Sequence, residues 1–226
     1  MATSRGRRMP RYGERPGMQQ SRWERLAPLT GVISVAIIVA VFAIGGETPE
    51  PEDGAAKVQA FYMTHHDKHA ALAFILAIAV PFLLFFASSL RSDLRRSGGT
   101  GQLANAAFAG GVLAGVGFAI LASVHLALAE SAAHARTIGT TQTLNVLDGN
   151  DFIPAVAGIG LLVLAAGASA IRHGGLPSWL GWIGIVIGVA AFTPAGFFAF
   201  LAGGLWILIA SIALVLARNA AEPALP

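Results

Sequence analysis

The chain contains no cysteine, so disulfides, thiolate metal sites, iron–sulfur clusters, c-type haem attachment and cysteine nucleophiles are excluded together. The redox state of its compartment therefore leaves no mark on the sequence. Charge is scarce as well: Asp, Glu, Lys and Arg make up 12% of the 226 residues, where ordinary soluble domains carry about a quarter. No His-Glu-x-x-His run and no paired Cys/His spacing occurs, which removes the usual signs of a zinc site. The polar segments hold no recognisable catalytic set, and no catalytic residue is assigned.

What fills the chain instead is apolar, with 55% hydrophobic residues and a mean hydropathy of +0.66. A helix rises about 1.5 Å per residue, so roughly 20 apolar residues in a row cross a hydrocarbon core about 30 Å thick. Six runs meet or approach that length: residues 26–44, 70–90, 103–129, 152–171, 177–193 and 195–217. The expected fold class is all-α, a polytopic transmembrane helical bundle of about six spans. Pro81 interrupts the second run, and glycines enrich the third. Asp148, Asn150 and Asp151 stand before the fourth as candidate helix caps, with Pro154 in its first turn. The fifth is short, so a re-entrant hairpin over 177–217 is the alternative to two full spans. The first is longer than a signal-peptide core and is expected to remain as an anchor rather than be cleaved.

Charge placement tests this topology independently. The net charge of +3 and pI near 10.0 do not indicate nucleic acid, because the positive residues lie in loops beside apolar spans. With the amino terminus inside, 12 of the 15 Lys and Arg fall on the cytoplasmic side: seven in the tail, then Arg91, Arg95, Arg96, Arg172 and Arg218. Only Lys57, Lys68 and Arg136 fall outside. This is the positive-inside pattern, and it places both termini in the cytoplasm and the protein in the plasma (inner) membrane. The many alanines, and arginine replacing lysine at all but two positions, fit a high-GC bacterial genome. Residues 1–25 are expected to be a disordered Arg-rich tail able to meet anionic lipid headgroups, and 218–226 a short cytoplasmic tail.

Chemistry has room only in the two outer loops. The first ends in Tyr62, His65, His66, Asp67, Lys68 and His69, and at helical spacing Tyr62, His65 or His66, and His69 share a face. His125 lies near the outer end of the third span, with Glu130 and His134 beyond it at i, i+4 spacing. His69 and His125 are the candidate cofactor ligands. His65, His66, His69, His125, Glu130 and His134 are the candidate metal ligands, since imidazole suits both a divalent metal and haem. The alternative is a solvated helix start with a surface Glu130–His134 pair, and no cofactor is required. Gly111-x-x-x-Gly115 and Gly184-x-x-x-Gly188 allow close helix packing, within the chain or in a homodimer.

Leu176 to Gly184, Thr193 to Gly196, Leu144 to Phe152 and Phe61 to His65 together resemble a group of uncharacterised multi-pass membrane proteins of about six spans common in actinobacteria. That resemblance covers residues 26–217 and implies a plasma-membrane helical bundle, with no activity, substrate or cofactor to carry over. Three functional classes follow from the residues. The first is a non-enzymatic sensing, scaffolding or envelope-accessory bundle, favoured because the spans hold no Asp, Glu, Lys or Arg. The second is a small-solute or ion transporter, and the third a membrane redox or metal-binding protein using the outer histidines.

Overall fold

The computed structural model describes residues 22–98, 101–134 and 138–220. The segment 1–21, Arg136 and residues 221–226 lie outside these, and with them the expectations for the Arg-rich tail. In chain order the elements are α1 (Arg22–Leu26), a 3₁₀ turn (Ala27–Leu29), α2 (Thr30–Gly45), α3 (Ala55–Thr64), α4 (His66–Arg96), α5 (Gln102–His134), α6 (Ile138–Asp148), α7 (Ile153–His173), α8 (Ser178–Ala190) and α9 (Gly196–Ala220). Among the described residues there is no strand.

Five helical stretches are long and apolar enough to cross a membrane: Glu24–Gly45, α4, α5, Ile138–His173 and α9. The expected fifth span is realised as α8, whose 13 residues reach only about 20 Å. It nevertheless runs antiparallel along most of α7. Gly181 packs against Gly167 and Ile171, Gly188 against Gly160 and Leu164, and beyond the helix Gly196 meets Val156. The chain thus travels from one end of the bundle to the other through α8 and returns through α9, unlike a re-entrant hairpin. Helices α4 and α5 outrun their expected bounds because the helix continues where the apolar run stops: α4 passes through Pro81 to Arg96, and α5 extends to His134.

Helices α5 and α7 meet backbone to backbone. A Cβ added at Gly110, Gly117 or Gly158 would lie 2.3, 2.3 or 2.1 Å from a backbone nitrogen of the facing helix, so only glycine fits these three positions. Gly111 and Gly115 pack on α4, and Gly184 and Gly188 on α7, so both glycine pairs noted in the sequence are engaged inside the chain. Around this spine lies a continuous core that includes Leu83, Phe86, Phe118, Leu162, Trp206 and Ile207. The polar groups inside it are paired, with Ser34 donating to the Ala79 carbonyl at 2.9 Å and Trp206 Nε1 to the Leu180 carbonyl at 2.9 Å. Large apolar residues such as Phe74, Phe85, Val186 and Phe198 point outward, as lipid-facing positions should.

The bundle has two polar ends. The arginine end gathers α1, the α4–α5 connection, the α7–α8 connection and the last turn of α9. The histidine end gathers the segment after α2, α3, α6 and the turn between α8 and α9.

Candidate functional site

Helix α3 rests on the outer part of α5 through a small separate core of Val58, Tyr62, Leu128 and Ala132, with Leu144 of α6 packed against it. The segment after α2 is tied down by α6, where Gln142 Nε2 donates to the Pro51 carbonyl at 2.9 Å and Asn145 Nδ2 to that of Glu50 at 3.1 Å. These contacts close a lid over the ends of α4 and α5. The expectation that Tyr62, His65 or His66, and His69 share one face is corrected here. His65 breaks the helix between α3 and α4, so Tyr62 and His69 turn inward while His65 and His66 face out.

Under the lid three side chains form a hydrogen-bonded row. His69, fully buried, has its Nδ1 2.9 Å from His125 Nε2. His125 Nδ1 lies 3.1 and 3.3 Å from the two carboxylate oxygens of Asp148. Asp148 is the last residue of α6, so the cap role expected of it is corrected: α7 is preceded by Phe152 with no side-chain cap, and only Pro154 sits where expected. The carboxylate accepts from His125 Nδ1, and this fixes the tautomers along the row. With both imidazoles neutral, His125 Nε2 accepts from His69 Nδ1, which leaves His69 Nε2 an acceptor. Among the described residues that nitrogen has no hydrogen-bond partner, and the buried Tyr62, its hydroxyl beside Thr48, sets its ring centroid 5.2 Å from that of His69. Burial, reinforced by the negative charge of Asp148, pushes the Tyr62 phenol well above its ordinary pKa, so it remains an O–H donor. Next to this row Asp151 is 6% exposed, and neither of its carboxyl oxygens has a partner.

His125 and Asp148 form the head of a cavity of about 410 Å³. Its walls are apolar: Val41 and Phe42 of α2, Leu76 of α4, Leu121 of α5, Val156 of α7 and Phe200 of α9. This is the composition of a small-molecule site, an apolar body with few polar groups at one end. A second cavity of about 220 Å³ lies between α2 and α9 and shares Phe200 with the first.

His66, Glu130 and His134 form a different group on the outer surface, and His65 stands apart from it against Phe61. His66 Nε2 and His134 Nδ1 each approach a Glu130 carboxylate oxygen at 3.3 Å, His66 Nδ1 approaches Asp67 at 2.9 Å, and the His65 ring is 2.9 Å from the Phe61 carbonyl. The single cluster envisaged from the sequence is therefore two. Among the described residues no group of three His, Asp or Glu side chains is arranged to hold a metal ion. Asp148 was the residue missed: a carboxylate at the start of the span after the one bearing His125, at the same depth, was the available signal.

No family model, curated protein or solved structure matches the chain, and the resemblance to an actinobacterial group gains no support from them. The class is defined by fold and composition: an all-helical protein with several apolar helices long enough to cross a membrane.

Proposed function

We propose that this is a multi-pass plasma-membrane protein, its termini cytoplasmic and its histidine end extracytoplasmic, that binds a small molecule in a sensing or envelope-accessory role without bond-making chemistry. The observation that carries this reading is the Asp148–His125–His69 row closing the head of an otherwise apolar cavity of about 410 Å³. Buried polar networks are costly unless fully satisfied, and this one ends in an unpartnered nitrogen where packing alone would favour apolar residues. Against a transport path, the interior between Leu76 and the arginine end is apolar, its cavity included, and no described ionisable side chain reaches it until Arg91 and Asp93. The orientation rests on the arginine distribution.

Two measurements test the reading. Because the chain lacks cysteine, single cysteines placed at Lys57 and at Arg172 report sidedness cleanly: an impermeant maleimide should label the first in intact cells and the second only after lysis. Mass spectrometry of protein purified from its native membrane should then find a small molecule that is lost when Leu121→Trp fills the cavity. Finding none, with the cavity demonstrably open to added apolar probes, would count against a binding role. A Soret band or stoichiometric metal, abolished in a His69→Ala/His125→Ala double variant, would move the protein to the redox or metal-binding class.

A further inference from the structure

What the cavity takes can be narrowed, on the reading that it is a ligand site. Both ring nitrogens of His125 are spent, one toward Asp148 and one toward His69, and His69 is fully buried behind it. The polar capacity left at the cavity head lies with Thr48, with the buried His69 Nε2, an acceptor, and with the Asp148 carboxylate, whose side chain is 16% exposed. An ionised carboxylate only accepts hydrogen bonds. A ligand head placed against it must bring an O–H or N–H, whereas an ether or ketone oxygen would set lone pair against lone pair.

The other end of the space has a different character. The second cavity lies between α2 and α9 with Leu83, Phe118 and Ile159 at its base, and among the described residues Ser34 is the one polar side chain on its wall. Three of its lining residues, Val39, Leu201 and Leu205, are 59%, 55% and 59% exposed on the outer surface of the bundle, so the groove opens sideways to lipid. Gly204 supplies room there: a Cβ at this position would meet only Val35, at 3.9 Å.

We propose that the two cavities form one site for a single-chain membrane amphiphile, its hydrogen-bond-donating head against Asp148 and its chain passing Phe200 into the groove between α2 and α9. Entry is lateral, from the leaflet next to the histidine end. Asp148 reads the head, and Gly204 keeps the groove open for the tail.

The test uses full-length protein in phosphatidylcholine nanodiscs and a dodecanol analogue bearing a diazirine at the chain terminus, with labelled peptides mapped by mass spectrometry. Label is expected on the groove segments of α2 and α9, displaced by dodecanol at least about tenfold better than by dodecyl methyl ether, the scale of one hydrogen bond to a charged group. Asp148→Asn should bring that ratio close to one. Gly204→Leu, which leaves the head untouched, should cut groove labelling by at least about tenfold. Equal competition by the ether in the wild-type protein would overturn the head assignment. Label spread evenly over outward residues such as Phe74 and Phe85 would overturn the groove. A co-purified molecule lost in Leu121→Trp alongside equal competition by the ether would sink this ligand class while leaving the binding reading intact.

Discussion

At the arginine end, Arg218 gives Nε and Nη2 to Asp93 at 3.3 and 2.6 Å, Nη2 also to Ser89 Oγ at 2.7 Å, and Nη1 to the Glu24 carbonyl. At the histidine end, Asp148 holds His125 and His125 holds His69, but among the described residues His69 Nε2 and both Asp151 oxygens have no partner. Both ends bury charge or its near equivalent. One end spends its donors on fastening α1, α4 and α9 together, whereas the other holds capacity in reserve beside a cavity. Stability should therefore reside at the arginine end and along the glycine spine, and ligand recognition at the histidine end.

The largest effect should come from the spine that both ends share. Gly158→Val drives a side chain into the Ala114 backbone, and the expected loss exceeds about 4 kcal/mol, seen as failure to recover monodisperse protein in detergent. Next comes Asp93→Ala, which strands the Arg218 guanidinium, itself 9% exposed, at an expected cost of about 3 kcal/mol in thermal unfolding. The Asp93→Ala/Arg218→Ala pair should recover more than half of that cost. If it recovers nothing, the ion pair is not the fastening and the comparison fails.

Across the bundle, Asp148→Asn should cost no more than about 1 kcal/mol while changing ligand preference. A stability loss as large as that of Asp93→Ala would mean the histidine row is structural. Tyr62→Phe removes a buried hydroxyl whose one polar neighbour is Thr48 and should change the unfolding free energy by no more than about 1 kcal/mol. The smallest effect concerns the half-buried Asp53, whose carboxyl is held below the ordinary range by hydrogen bonds from Lys57 and from the Glu50 backbone. A depressed carboxylate contributes stability above its unfolded pKa of about 4 and loses it as pH falls through the lower folded value. Lys57→Ala should therefore slightly lower the unfolding temperature at neutral pH, leave it unchanged at acid pH where the carboxyl is protonated, and so flatten the acid limb.

The membrane-crossing runs were legible because the demand for about 20 apolar residues is local in sequence. The Gly181 and Gly188 contacts that carry α8 along α7 were not, since a 13-residue helix states nothing of its partner. His69 and His125 stood out as ionisable side chains at the edges of apolar runs. Asp148 did not, because an acid before a helix has a sufficient local explanation as a cap, and its actual partner lies 23 residues back on another helix. Arg218 was visible only as a topology charge, and nothing in its spacing pointed to Asp93, 125 residues back. The sequence periodicity that put Tyr62 with the histidines was right for His69 and failed for His66, where the break at His65 rotates the helix.

The backbone contact between α5 and α7 has a mechanical consequence. Helices that touch without intervening side chains cannot slide or rock past one another, so this pair behaves as a frame. The cavity is bounded by that frame on one side and on the other by α2, which is held by side-chain packing and continues back through the 3₁₀ turn into α1. An occupant that widened the space would displace α2 against the fixed frame rather than part α5 from α7.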